Sequence, residues 1–201
     1  PRRQAEQPSE EEVAAAKREL TELMGLERMR LKQFFDNASL DMSLEQLRME
    51  TAEDVEVQGN GYWEIIRSAD GQVAGFNYIP AYTMRLMPLP KRPTKFIDKV
   101  RVDDVTWGEI VREKFFRTYV QLIEPKAQAT YFKELGDPRV VSKCTGRPFA
   151  TEEAMLAADP NDSLASEVLH WRIHSSRSGY GIPRWIGQLL AVLGSRQVDE
   201  V

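Results

Sequence analysis

Two histidines and a single cysteine are the side chains of this sequence best suited to metal binding or nucleophilic chemistry. His170 and His174 are four residues apart, which on a helix would place both imidazoles on one face, within reach of one metal ion. The surrounding SEVLHWRIHS alternates apolar and polar residues and so favours a strand, on which the two rings would be about 13 Å apart. Cys144 has no nucleophile signature around it, which favours a structural thiol. We therefore expect no metal site here and no cysteine nucleophile.

Other catalytic motifs are missing from the sequence. It contains neither a G-x-x-x-x-G-K-[ST] phosphate loop nor a G-x-S-x-G nucleophile elbow. Carboxylates are abundant, and Asp103, Asp104 and Asp137 leave open a metal-dependent hydrolase or nuclease that binds a divalent cation. Solvated surface is the favoured interpretation, because these residues lie among many other charges. We expect a protein that is not an enzyme and has no cofactor.

Composition bounds the class of protein. The 201 residues are 42% apolar, enough for one compact domain or a domain with an extension. A formal net charge of -4 argues against nonspecific coating of nucleic acid. The single cysteine excludes an internal disulfide. No stretch approaches the roughly 20 apolar residues that cross a bilayer, so we expect a soluble intracellular protein without membrane contact.

The elements that would position these residues begin with helices. Ser9 to Glu12 matches a capping box, and apolar residues then recur at helical spacing from Leu20 to Phe35, interrupted by Glu27. Ser43 to Gln46 is a second capping box that opens a shorter helix. Residues 1–58 are therefore predicted to be an amino-terminal helical segment.

Residues 59–180 predict a β-rich domain. The apolar period shortens to two after Gly61, and Asp70-Gly71 supplies the positive backbone φ angles that a tight hairpin requires. The other predictions for this segment are a short strand within Thr83 to Met87, a strand over Arg112 to Ile123, a surface loop with at most one helical turn from Thr151 to Asp162, and a strand over SEVLHWRIHS.

The end of the chain predicts an amphipathic helix, which Pro183 can start. Its apolar stripe consists of Ile182, Trp185, Ile186, Leu189, Leu190 and Leu193. The predicted fold class is α+β: an antiparallel sheet with amino-terminal helices and a carboxy-terminal amphipathic helix.

Charge is unevenly distributed along the chain. Residues 10–60 hold 13 acidic and 6 basic side chains, a net of -7, whereas residues 84–118 hold 9 basic and 5 acidic ones, a net of +4. Either adjacent copies dock these regions against each other, or each charged face is simply solvated. Lys91, Arg92 and Lys95 lie in a basic loop, KRPTKFIDKVR, that could contact DNA phosphates, although it has little aromatic interleaving for base stacking.

Four blocks of sequence carry a family resemblance. They are GNGYWEIIRSADGQVAGFNYIPAYTMR (59–85), TYVQLI (118–123), YFKELGDPR (131–139) and SEVLHWRIHSSRSGYGIPRWIGQLLAVLGS (166–195). In this order and spacing they resemble the portal (head-vertex connector) proteins of tailed bacteriophages, in the PBSX-type branch, over about residues 30–201. The resemblance implies that residues 59–180 are a wing-like domain and that 181–201 start a stem-like helix that is truncated here.

The resemblance also implies a function. It implies a structural subunit of a ring at the capsid vertex, a dodecamer when full length, that conducts double-stranded DNA during packaging and ejection and connects head to tail. The implied partners are other copies of the chain, terminase, capsid or scaffold proteins, head-tail connector proteins and, transiently, double-stranded DNA. The implied location is the virion, with the host cytoplasm during assembly. A monomeric adaptor derived from a portal gene stays open as an alternative.

Two turns are candidate subunit contacts within this resemblance. Asp137 and Arg139 flank a proline in a rigid turn, from which the arginine could reach a neighbour. Arg184 and Trp185 stand at the start of the last helix, where a cation is unfavourable unless a carboxylate partner is near. Both motifs could equally serve only to shape the monomer.

Overall fold

Two helices precede the sheet. In the computed structural model, which describes residues 10–101, 107–123 and 128–189, α1 spans Glu10–Asp36 and α2 spans Leu44–Gln58. The Ser43 hydroxyl accepts a hydrogen bond from the Gln46 amide at 3.2 Å, as its capping box predicts. Both predicted helices are confirmed, and the predicted cap residue Ser9 lies outside the described residues.

Ten strands follow, most of them in one sheet. They are β1 Asn60–Arg67, β2 Val73–Ile79, β3 Met84–Leu86, β4 Thr94–Arg101, β5 Trp107–Lys114, β6 Thr118–Gln121, β7 Thr130–Glu134, β8 Val140–Val141, β9 Pro148–Phe149 and β10 Glu167–Arg172. Six form a sheet in the order β2-β1-β10-β7-β6-β3, in which only β10 and β7 run parallel. Strands β4 and β5 pair as a separate hairpin, and β8 pairs with β9. The α+β class is confirmed.

The β1–β2 hairpin forms where the sequence predicts it. Gly71 adopts a φ of 76°, and its amide donates to the Ser68 carbonyl at 2.9 Å. The short strand predicted within Thr83 to Met87 is also confirmed, as β3.

The core lies on the six-stranded sheet and includes the turn that precedes β3. It consists of Tyr62, Ile79, Ala81, Met84, Tyr119, Phe132 and Val168. Helix α2 packs on β1 and buries Leu47 and Asp54. The Asp54 carboxylate accepts hydrogen bonds from the Tyr78 hydroxyl at 2.7 Å and the Ala81 amide at 2.8 Å, which ties α2 to the end of β2.

Three sequence predictions are wrong in part. The strand over Arg112 to Ile123 is broken at residues 115–117, because Phe116 turns into the protein interior and β5 and β6 belong to different sheets. The predicted basic loop is largely strand β4. The loop predicted from Thr151 to Asp162 contains a helix, α3 Glu152–Ala158, with Thr151 as its cap and Met155 buried.

The last described segment is the start of the predicted carboxy-terminal helix. A 3₁₀ turn spans Arg184–Gln188. Leu190 and Leu193 of the predicted amphipathic helix lie outside the described residues. Within the ranges described, no helix combines the length and the apolar character needed to span a membrane.

Candidate functional site

A half-enclosed cleft of about 400 Å³ opens at the face of the sheet where β6, β7 and β10 adjoin. The buried part of its lining includes Tyr119 and Val168, and its exposed apolar part is Leu89, Phe115 and Leu135. The charged side chains that line it are Arg117, Glu134 and Arg172. We call it the arginine cleft.

His170 forms one side of the arginine cleft and is held by its neighbours. Its ring stacks on Tyr62 at a centroid distance of 4.5 Å and lies edge-on to Tyr119 at 5.7 Å. Its Nε2 is 3.0 Å from Asn60 Oδ1, which also accepts the Gly181 amide at 2.7 Å. Because an amide oxygen only accepts hydrogen bonds, Nε2 carries the proton of the neutral ring.

Burial, together with the nearby Arg172 and Arg117 cations, lowers the pKa of His170 to about 4. The imidazole is therefore neutral at physiological pH. Burial and the Glu134 carboxylate raise the pKa of Tyr119, so its hydroxyl stays protonated. The arginine cleft thus presents neutral polar groups beside permanent positive charge.

The side chains of both arginines lie close to Gly179. The Arg172 guanidinium donates to the Gly179 carbonyl at 3.0 Å. The Arg117 guanidinium lies so close that a Cβ at Gly179 would be 2.8 Å from Arg117 Cζ. Within residues 10–101, 107–123 and 128–189, neither guanidinium has a carboxylate partner within ion-pair distance, and that of half-buried Arg117 donates no hydrogen bond. A partly buried cation without a counterion favours binding of an external anion.

Glu134 is the one acidic side chain in the lining of the arginine cleft. Its Oε1 pairs with Lys114 at 2.8 Å, and its Oε2 accepts the Arg117 backbone amide at 2.8 Å. Each oxygen thus has a partner other than the Arg117 guanidinium, which has no carboxylate within ion-pair distance in the described part of the chain.

A strap of residues 176–181 closes one side of the arginine cleft. The Leu86 amide donates to the hydroxyl of Tyr180 in the strap at 2.8 Å. Just before the strap, the Ile173 amide donates to the Gly59 carbonyl at 3.0 Å. Gly59 adopts a φ of 79°, and a Cβ there would lie 2.7 Å from the Gly181 carbonyl carbon. The strap therefore sits directly on the junction between α2 and β1.

The predicted contact pair Asp137 and Arg139 is bound within the chain. The Asp137 side chain is 0% exposed and accepts hydrogen bonds from the Arg139 guanidinium at 2.6–3.0 Å. Arg139 also donates to the Phe116 carbonyl at 3.2 Å. The pair fixes the turn after β7, and a contact with another copy stays a prediction.

The second predicted pair lies beside the end of α2. Arg184 is 3.5 Å from Glu56, with both side chains exposed, and the Trp185 indole donates to the Val57 carbonyl at 3.1 Å. The carboxylate partner of Arg184 thus lies in the same chain. Trp185 is 49% exposed and stays available to a neighbour.

The predicted DNA-facing side chains are all exposed. Lys91 and Arg92 lie in the loop between β3 and β4. Lys95 is the second residue of β4 and pairs with Glu113 across the hairpin at 3.2 Å. Their contact with DNA stays a prediction.

The remaining chemical candidates are separated in space or lie outside the description. His174 is exposed beyond the end of β10, while His170 is in the cleft. A hydrogen bond to Asp162 raises the pKa of the Cys144 thiol, which opposes formation of a nucleophilic thiolate. Asp103 and Asp104 are not among the described residues. Among those that are, no three His, Cys, Asp or Glu side chains are grouped to hold a metal ion.

Helix α1 exposes an apolar surface along its length. Its side chains Val13, Leu20, Leu23, Met24, Leu31 and Phe35 are between 37% and 64% exposed. At 100° per residue they fall within an arc of about 120°. We call this surface the α1 stripe. Only the end of α1 meets the sheet, where the Phe34 ring contacts Phe76 at 5.9 Å.

The β4–β5 hairpin is a second exposed element. Ile97 and Val111 are paired and 65% and 68% exposed, and Trp107 is 64% exposed. Phe96 anchors the hairpin to Phe116 at 5.6 Å. A two-stranded hairpin with both edges open is marginally stable by itself, so a neighbouring surface would stabilise it.

Sequence reasoning missed the arginine cleft. The alternation in SEVLHWRIHS predicts a strand, which the structure confirms as β10, and His170 and Arg172 of this strand both line the cleft. The order of strands in the sheet brings Arg117, Asn60 and Gly181 close to these two residues. The sequence carries no local signal for that order.

Comparison with known proteins shows two relatives in Bacillus subtilis strain 168. The chain is 35% identical over 172 residues to the uncharacterized protein YqbA, covering 86% of this chain and 31% of YqbA. It is 34% identical over 172 residues to the phage-like element PBSX protein XkdE, covering 86% of this chain and 32% of XkdE. The chain therefore spans about a third of the length of these relatives and is a prophage-related protein. No family model and no solved structure matches it.

Proposed function

We propose that this prophage-related chain is a structural subunit, or part of one, of a phage portal ring at the capsid vertex. In this role it would conduct double-stranded DNA during packaging and ejection and serve as the head-tail connection point. Terminase, capsid or scaffold proteins and connector proteins would be its partners, in the virion and in the host cytoplasm during assembly. It would perform no catalysis of its own.

The exposed α1 stripe is the observation that supports an assembly role. Soluble monomers rarely expose contiguous apolar patches of this kind, and larger ones mark interaction sites. The described part of the chain covers only the end of α1, at Phe34. A partner that covers the stripe would remove apolar area from water, at roughly 25 cal/mol per Å².

A ring requires two unlike surfaces on each subunit, because a heterologous contact joins one patch to a different patch of the next copy. Helix α1 and the face with the arginine cleft are unlike in charge and in structure. The similarity to a protein of the phage-like element PBSX supports the choice of a phage assembly over other self-assembling proteins.

Electron microscopy of a chimera tests the portal role. This chain would replace the matched third of XkdE, which supplies the length that it lacks relative to that protein. We expect closed rings with a central channel wide enough for duplex DNA. Monomers, or open filaments without a channel, would contradict a portal function.

A further inference from the structure

Two charged side chains have no strong ionic partner within the part of the chain that the structure describes. One is an acidic side chain, Glu27, in the middle of the α1 stripe. The other is Arg117, a half-buried cation in the arginine cleft whose guanidinium has no carboxylate partner among the residues described. Their opposite charges and similar apolar surroundings suggest that they belong together.

Glu27 is surrounded by the apolar side chains of the stripe. It lies three residues after Met24 and four before Leu31, so both adjoin it on the same face of the helix. Its ion pair with Arg30 is 4.0 Å long, with both side chains mostly exposed. Such a pair adds little stability, so the carboxylate is available to a stronger partner.

The arginine cleft has the complementary arrangement. Leu89, Phe115 and Leu135 are 38–47% exposed around it, and Arg117 and Arg172 supply positive charge. Arg172 donates to backbone carbonyls, which leaves both guanidiniums without a counterion within the described part of the chain. The apolar lining and the nearby Glu134 favour a monoanionic carboxylate over a phosphate dianion.

We propose that α1 of one copy docks over the arginine cleft of the next copy, with the Glu27 carboxylate bound by Arg117. The inference rests on the proposed self-assembly and names its contact. Leu23, Met24 and Leu31 would pack on the exposed apolar side chains of the cleft and exclude water from the ion pair, which strengthens it. The contact is heterologous, the type from which rings are built.

Two charge-reversal variants test this contact by sedimentation over a range of concentrations. Glu27→Arg disables the helix, and Arg117→Glu disables the cleft. We expect each variant alone to associate at least about tenfold more weakly than the wild type. An equimolar mixture should regain association to within about threefold of the wild type, since each chain supplies the surface that the other lacks.

Matched controls separate the contact from general charge and folding effects. Glu22→Arg makes the same change on another face of α1, and Arg177→Glu makes it on an exposed part of the strap. Both should associate like the wild type. Thermal unfolding of Arg117→Glu checks the fold, and because Glu27 is exposed on α1, Glu27→Arg tests the contact even if Arg117→Glu is destabilised.

The outcomes distinguish this contact from the proposed function. Normal association of both variants, or failure of the mixture to recover, would overturn the contact while self-assembly stands. A wild type that stays monomeric at every concentration would overturn the contact and the self-assembly of this chain, whereas the chimera tests the portal role separately.

Discussion

At the scale of single residues, His170 shows how the arginine cleft keeps a buried imidazole neutral. The ring stacks on Tyr62 and donates to Asn60, and Arg172 and Arg117 add positive charge nearby. Protonation would place a third cation among them without a counterion. The low pKa of His170 therefore links the stability of the fold to pH.

Acid should destabilise the protein partly through His170. Its pKa is about 4 in the folded chain and about 6.5 when unfolded, so the unfolded state binds more protons as the pH falls from 6.5 to 4. The free energy of unfolding should decrease by up to about 2 kcal/mol between pH 7.5 and pH 5 from this group. His170→Phe keeps the stack on Tyr62 and should cost about 1 kcal/mol at pH 7.5 but abolish that part of the decrease. Urea denaturation of the wild type and of His170→Phe at pH 7.5 and pH 5 measures these free energies of unfolding. Equal decreases in the two proteins would refute this role of His170.

The buried pair Asp137 and Arg139 should contribute strongly to stability. Arg139→Ala would leave the Asp137 carboxylate buried without its cation, at a cost of about 3–5 kcal/mol in unfolding free energy. Arg147→Ala, at an exposed site, is the control and should change stability by less than about 0.5 kcal/mol. Similar unfolding midpoints for the two variants would show that the pair is not held as described.

At the scale of elements, the junction of α2, β1 and the strap positions the arginine cleft. Gly59 ends α2 in the left-handed conformation, and the strap backbone at Gly181 lies against it. Asn60, the next residue, bonds both His170 and Gly181. The backbone contact of Gly59 with Gly181 thus places the strap, and the Asn60 side chain orients the imidazole.

Gly59 and Gly71 have nearly the same φ, so their alanine variants separate the cost of backbone strain from the cost of close packing. Gly71→Ala meets open space and should cost about 1 kcal/mol from the left-handed backbone alone. Gly59→Ala adds a collision with the strap and should cost about 1–3 kcal/mol more. Thermal or urea denaturation compares them. Equal costs would mean that the strap does not rest on Gly59.

The sequence predicts elements well where one buried face sets the pattern. Helix α2 and the β1–β2 hairpin have a cap or turn residue beside apolar positions that become buried, and both form as predicted. The sequence predicts a loop where strand β4 forms, because the exposed faces of this strand carry many charges and prolines precede it. Helix α3 was missed because Met155 alone is buried in it, which gives no apolar period to recognise.

The arginine cleft was beyond sequence reasoning for a different reason. Arg117 lies just before β6 and His170 lies on β10, and these two strands are brought together through β7 and a parallel pairing. The alternation of apolar and polar residues along each strand indicates on which face of the sheet each side chain lies. It does not give the order of the strands.

At the scale of the whole molecule, the described chain combines a self-contained core with surfaces that the core does not cover. The α1 stripe and the β4–β5 hairpin are exposed, and the arginine cleft holds unpaired positive charge. All three are explained if copies of the chain stand side by side. The similarity to a PBSX-element protein agrees with such a structural role.

The native mass of the purified chain as a function of concentration tests self-assembly most directly. We expect species of several copies whose population rises with concentration and falls when Leu20 and Leu31 of the α1 stripe are replaced by lysine. A chain that remains strictly monomeric at high concentration, with and without these substitutions, would contradict it.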